Sequence, residues 1–325
     1  MPDIINKTEI IKPETVKQYA EEIKNNIEKI IIGKTQEINF ILSALFAGGH
    51  VLLDDVPGTG KTMLAKAMAK SFDCEFGRIQ FTPDLLPTDL TGINYYNPKS
   101  NDFVFRKGAL FTNILLADEI NRATPRTQSG LLESMEEKQI TIDGITHKLA
   151  EPYFVIATQN PVETQGTYPL PEAQLDRFMI RLTLGYPTVD ETTDVLKRFL
   201  TTGPLDELKP VCNSETLQNI QTAVKNIFIH EELLRYIVEL TEKTRAAASV
   251  ILGVSTRGAI ALTNICKAYA ALSGRDFVLP DDIQLLLPYV YAHRIIFRGG
   301  TEKDIDGLLS KIIDETKVPS ENYDK

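Results

Sequence analysis

A chain of 325 residues with 35 basic and 44 acidic side chains has a net charge of −9 at neutral pH. It is too long for one small core and has the length of roughly two domains. Its composition, 43% hydrophobic and 24% charged, is that of a soluble globular chain, and the acidic balance argues against a nucleic-acid surface as its main binding face. No run approaches the ~20 apolar residues of a bilayer span, and the opening MPDIINKTEI lacks the apolar stretch of a signal peptide. Cys74, Cys212 and Cys266 form no C-x-x-C pair, so a cytoplasmic chain with reduced, buried thiols and no membrane insertion is expected.

In chain order, Val16, Ala20, Ile23 and Ile27 share one helical face, and the spacing predicts an amphipathic helix over 13–29 opened by Pro13. A second helix is predicted over 34–47, ending at Gly48-Gly49. The apolar runs HVLLD, EFGRIQF, NILLAD, YFVIAT and MIRLTL read as strands, with helices such as KTMLAKAMAKSF and TPRTQSGLLESMEE between some of them. That alternation predicts an α/β core with a mostly parallel sheet covered on both faces. Two stretches break the rhythm and read as β-hairpins: INYYNPKSNDFVF, and QITIDGITHKL with its Asp143-Gly144 turn. The aromatic residues of the first, Tyr95, Tyr96, Phe103 and Phe105, are expected to fill a small core under the hairpin. From about Pro187 the texture turns helical, after a connector TTGPLDELKP. Leu233, Ile237 and Leu240 share one face; Ala261, Ile265, Ala268 and Leu272 share another. LPDDIQLLL opens a helix with Pro280, and Pro288 is expected to kink or end it. The tail ETKVPSENYDK is polar and expected to fray.

The stretch VPGTGKT, between the strand at Val51 and a helix from Lys61, has the context of a phosphate-binding loop. The loop residues Pro57, Gly58, Thr59, Gly60, Lys61, Thr62 and Met63 are the predicted nucleotide contacts. Backbone amides and the helix N-terminus would face phosphate oxygens, Lys61 the β- and γ-phosphates, and the Thr62 hydroxyl Mg²⁺. The strict pattern wants a glycine where Asp55 stands; Asp55 is expected to touch no phosphate, and the substitution is read as tolerated. Some sixty residues later, ILLADE places Asp118 and Glu119 at the C-terminal end of a buried strand, where ligands of open α/β sheets bind. There Asp118 supports the metal and Glu119 polarises the attacking water. His50, His147, His230 and His293 are dispersed and read as ordinary core or surface histidines.

A third strand ends in ATQNP, bringing Asn160 to the same edge, and PEAQLDRF carries Arg177 toward the next strand. Phosphate loop, D-E strand, polar strand end and late arginine, in that order, resemble the AAA+ ATPases. The runs RIQFTPDLLPTDLTG, LLADEINRATPRTQSGLLESMEE and ATQNPVETQGTYPLPEAQLDRF are similar to the MoxR family, from about Ile30 to His293. Residues 1–29 are expected to form an N-terminal helix packed on the core, and the resemblance implies an AAA+ core over 30–187 with two hairpin inserts and an all-α lid over 188–325. It also implies a ring, usually a hexamer, in which Asn160 positions water as sensor 1 and Arg177 is a finger offered to the neighbour. Arg257, in GVSTRGAIAL, takes the place of sensor 2, and Ile31 and Ile32 the adenine-cradling place. Gly258 after Arg257 lowers helix propensity by up to ~1 kcal/mol, so a looser Arg257 is expected. Arg122, Arg126 and Arg181 are read as solvated ion pairs. The implied activity is Mg²⁺-dependent ATP hydrolysis that remodels or activates a protein client, among relatives often one with a von Willebrand factor A domain or one receiving a metal cofactor. Two alternatives stay open: a nucleic-acid motor, and a nucleotide-gated scaffold with little turnover.

Overall fold

The computed structural model describes residues 11–161, 166–199, 205–298 and 302–319. Outside them lie the first ten residues, 162–165 of the third motif run, 201–204 of the expected connector and 320–325 of the expected tail.

Helix α1 (Pro13–Glu28) has proline in its first turn and buries Val16, Ala20, Ile23 and Ile27, the face its spacing predicts. Then come α2 (Thr35–Phe46), β1 (Val51–Asp54), α3 (Lys61–Ser71) and β2 (Phe76–Gln80). The short α4 (Pro87–Thr91) leads into β3 (Gly92–Asn97) and β4 (Asp102–Lys107). They are followed by β5 (Ile114–Asp118), α5 (Pro125–Glu137), β6 (Gln139–Ile142), β7 (Ile145–Lys148) and β8 (Phe154–Gln159). One turn, α6 (Glu172–Leu175), precedes β9 (Ile180–Leu182).

Five of these strands form one parallel sheet in the order β2-β5-β8-β1-β9. Alternate residues of each strand point to opposite faces. Val51, Leu53, Ile114, Leu116, Phe154 and Ile156 join the core beneath α1, α2 and α3. Their neighbours Leu52, Leu115, Ala117, Val155 and Ala157 join a second core with Leu131, Leu132 and Met135 of α5. Both faces are covered, which is why these strands read as unbroken apolar runs.

The two hairpins form where the sequence places them. Asp143 and Gly144 have φ of +49° and +81° between β6 and β7, the left-handed pair that a two-residue turn needs. The hairpins are clasped together: Phe105 stacks on His147 at 4.2 Å between centroids, and Asn94 Nδ2 donates to Asp143 at 2.7 Å. The expected core under the first hairpin is not there. Phe105 packs, but Tyr95, Tyr96 and Phe103 are 43%, 50% and 69% exposed, because a two-stranded ribbon has no second layer to cover them.

Beyond β9 lie α7 (Val189–Phe199), α8 (Ser214–Lys225), α9 (Glu231–Ala246), β10 (Val250–Leu252) and α10 (Thr256–Leu272). They are followed by α11 (Pro280–Tyr291), β11 (Ile296–Phe297) and α12 (Glu302–Glu315). The helical texture is as expected; the antiparallel pair β10-β11 is an addition to it. Pro288 neither ends nor breaks α11, which runs on to Tyr291; so near the helix end its missing N–H removes a single backbone bond. Helix α10 packs on α1, α2, α9 and α11, so one apolar cluster runs from the sheet into the lid. Among the described residues no helix is long and apolar enough to cross a membrane.

Candidate nucleotide site

Strand β1 hands the chain at Asp54 to a loop that α3 closes. Gly58 and Gly60 both have φ of +88°, a left-handed backbone that glycine adopts without strain. Gly60 is the N-cap of α3 and no side chain caps it, so the first amides of the helix remain available to an anion. A Cβ on Gly58 would meet nothing within 4 Å, whereas one on Gly60 would lie 3.3 Å from Ile31 Cδ1. Ile31 is therefore packed against the loop, with Ile32 half-buried next to it in sequence. The Lys61 Nζ donates to the carbonyls of Asp55 at 3.0 Å and Val56 at 3.3 Å, and Thr59 Oγ1 donates to Val56 at 3.4 Å. Thr62 and Met63 are half-buried in the first turn of α3, while Pro57 is exposed. Asp55 is not a neutral stand-in for glycine. Only 1% exposed, its carboxylate accepts the amides of Leu184 and Gly185 at 2.6 and 3.0 Å.

Parallel pairing sets Gln80 beside Asp118 and Asp54 beside Gln159, so the ends of β2, β5, β8 and β1 meet at one edge. Asp118 Oδ1 accepts the Thr158 hydroxyl at 2.7 Å and Oδ2 accepts Arg78 at 2.8 Å. Thr158 Oγ1 in turn accepts the Glu119 amide at 2.8 Å. Glu119 has φ 56° and ψ 51°, a left-handed backbone that costs a non-glycine residue about 1–3 kcal/mol and gathers at functional sites. Its Oε2 accepts Gln80 Nε2 at 2.6 Å and Arg122 at 3.1 Å. Asn160, buried, follows the last residue of β8. Arg122 is thus no detached surface pair; it reaches the D-E glutamate. Arg181 pairs with Asp54, half-buried at the neighbouring strand end.

The other two arginines lie elsewhere. Arg177 precedes β9 and Arg257 opens α10; both pair with Glu136 of α5. They line a cavity of about 230 Å³ together with Gly48, Gly49, His50 and Met179. Those residues stand at the N-terminal ends of β1 and β9, opposite the loop, and even the four residues of β1 span roughly 13 Å. Neither arginine reaches the phosphate loop of its own chain. Ser255 caps α10, accepting the Gly258 amide at 3.2 Å and donating to Asp176 at 3.0 Å. A Cβ on Gly258 would lie 2.5 Å from Val254 Cγ1 and 2.9 Å from Arg294 Cδ; the glycine makes room for both Val254 and the buried Arg294, which donates to Asp176 at 2.6 Å.

A family profile described as "ATPase family associated with various cellular activities (AAA)" matches residues 50–180, and an AAA lid domain profile matches 242–313. The chain is 38% identical to Chaperone MoxR1 of Mycobacterium tuberculosis, over 83% of this chain and 74% of that one. It is 30% identical to Protein MoxR of Paracoccus denitrificans, over 88% and 91%. The chain belongs to the MoxR family of AAA+ ATPases. It is also 49% identical to the uncharacterized Bacillus subtilis protein YeaC, over 90% of this chain and 93% of that one. A crystal structure of a candidate ATPase from Cytophaga hutchinsonii superposes with a TM-score of 0.88 at 38% identity, covering 95% and 97% of the two chains.

Within this MoxR-family fold, the sequence reading missed Gln80, Arg78, Thr158 and Glu136. All four lie inside the runs quoted above, but nothing local marks their role; strand pairing or helix packing brings each to its partner from some 40 residues away or more. The four histidines have structural partners. The buried His50 accepts the Val155 amide on Nδ1 and so donates from Nε2 to Met135; burial lowers its pKa to about 4. His293 faces the Phe178 carbonyl, His147 stacks on Phe105, and His230 caps α9.

Proposed function

We propose that this MoxR-family protein hydrolyses ATP with Mg²⁺ and uses the cycle to remodel or activate a protein partner. The observation that carries the reading is the meeting of Lys61, Asp118 and Glu119 at one sheet edge, with Thr158 bonded to both acidic residues. Lys61 would bind the β- and γ-phosphates. The Thr62 hydroxyl and the Asp118 carboxylate are hard oxygen ligands in the small number that Mg²⁺ takes from protein when phosphates and water supply the rest; bound there, the ion would neutralise charge on the phosphates. Glu119 would orient and polarise water with Asn160, after exchanging its bonds to Gln80 and Arg122. Ile31 and Ile32 would flank the base.

Arg177 and Arg257 sit on the far edge of the sheet, which suits a site completed by the neighbouring subunit of a ring, by resemblance a hexamer. We divide the chain into an N-terminal helix (1–29), a nucleotide-binding core (30–187) and a lid (188–325). Partners with a von Willebrand factor A domain, or proteins receiving a metal cofactor, are the client classes to test first. Lys61→Ala should abolish tight ATP binding in calorimetry, while Glu119→Gln should bind ATP yet turn over roughly 10²–10⁴-fold more slowly. The ATP-loaded Glu119→Gln protein should retain a protein client on affinity capture. Full ATP affinity in Lys61→Ala refutes the loop assignment; retention of nucleic acid in place of protein refutes the remodelling role.

A further inference from the structure

The phosphate loop departs from its strict pattern at Asp55, and the carboxylate there has its partners outside the loop. Oδ2 accepts the Leu184 amide at 2.6 Å and Oδ1 the Gly185 amide at 3.0 Å. These amides follow β9, whose last residue is Leu182, and precede α7, which starts at Val189. They belong to the segment by which the chain passes from the sheet to the lid. The main chain of Asp55 faces the other way in function. Its carbonyl accepts Lys61 Nζ at 3.0 Å, and its N–H donates to Gln159 at 3.1 Å.

We propose that Asp55 is a positioning residue that couples the phosphate loop to the sheet–lid connector, holding the connector with its carboxylate and the loop lysine with its carbonyl. The proposal rests on the ATPase reading above and adds to it a route from nucleotide to lid. Two successive amides converging on one buried carboxylate satisfy its charge with short, charge-assisted bonds. A glycine at 55 would leave the Leu184 and Gly185 amides without that acceptor; Leu184 is itself buried, and an unmade bond there costs about 1–3 kcal/mol. The coupling follows from the sharing of one residue. When Lys61 turns to a phosphate, the main chain at Asp55 loses the cation lying on it, while the carboxylate still grips the connector. A displacement of the loop is thereby passed to residues 184–185, and a displacement of the lid is passed back.

The experiment uses the full chain as wild type, Asp55→Asn and Asp55→Gly, the last restoring the strict motif. Amide hydrogen exchange at Leu184 and Gly185, ATP affinity by calorimetry, steady-state turnover and the unfolding midpoint are measured in parallel. In the wild type, ATP should change exchange at these two amides. In Asp55→Gly they should exchange roughly tenfold faster or more, ATP affinity should fall by about tenfold, and ATP should no longer alter their exchange. Amides of β5 and β8 should keep their protection. Asp55→Asn, with one acceptor left, should fall between, and it carries the test if the glycine variant does not fold. Faster exchange with ATP affinity and turnover unchanged makes Asp55 a mere anchor and overturns the coupling. Unchanged exchange in both variants overturns the clamp itself. A wild-type chain that binds no ATP overturns the ATPase reading and the coupling with it, while the exchange comparison still reports on the clamp.

Discussion

Thr158 gives its hydroxyl proton to Asp118 and takes the amide proton of Glu119, so one side chain from β8 fixes the last residue of β5 and the one after it. The lysine loop and the D-E pair stood out in the sequence as candidates because each is a local string. Thr158, Gln80 and Arg78 did not, since their meaning depends on which strand lies next to which. What the Asp55 carboxylate holds was not legible for a related reason: its partners, 129 and 130 residues away, leave no trace in the motif. His50 yields a pH prediction. Burial holds it neutral with a pKa lowered from 6.5 to about 4, Lys138 adding to the effect. Between those values the unfolded chain binds a proton that the folded chain refuses, so folding stability rises with pH there and falls as pH drops from 6.5 toward 4. The loss from this residue alone is about 3 kcal/mol at the lower limit. Denaturant midpoints should decline across this window. His50→Gln, though less stable at neutral pH, should show a shallower decline, with His293, also lowered by burial, contributing what remains. A decline of equal steepness in the variant would locate the acid sensitivity elsewhere.

Among the elements, the five parallel strands announced themselves as apolar runs, the amphipathic helices by period, and the Asp143-Gly144 turn by its residue pair. The clasp between the two hairpins did not, because it joins β4 to β7 across strands that share no sheet. Nor did β10-β11, whose three and two residues are too few to show alternation. His147→Ala removes the ring under Phe105 and should cost the clasp about 1 kcal/mol. Amide exchange in β3 and β4 should then quicken roughly fivefold, while the global midpoint barely moves, since neither strand belongs to the main sheet. Should the whole protein lose stability instead, the hairpins are part of the folding unit and not an appendage to it.

For the molecule as a whole, the apolar cluster that runs from sheet to lid makes the two parts one packed body, with the loop on one sheet edge and Arg177 and Arg257 on the other. An arginine supplied from outside a phosphate loop can speed transfer by about 10³–10⁵. If Arg177 serves the neighbour, Arg177→Ala should bind ATP normally and hydrolyse it poorly. Mixing it with Glu119→Gln should restore activity, because some interfaces then pair an intact Glu119 with an intact Arg177. ATPase rate is read against mixing ratio, with subunit exchange followed by labelled protein. Exchange without any rise above either parent sinks the shared site. The two-edged layout also has a counting consequence. In the proposed ring each subunit would be a bifunctional link, with one socket and one plug, joined head to tail. An open arc of n such links completes n − 1 sockets and leaves one plug idle; closure completes the last without adding a subunit. Activity per chain would therefore step upward at ring closure, and a subunit with a dead plug would act as a chain end, silencing one socket wherever it is incorporated.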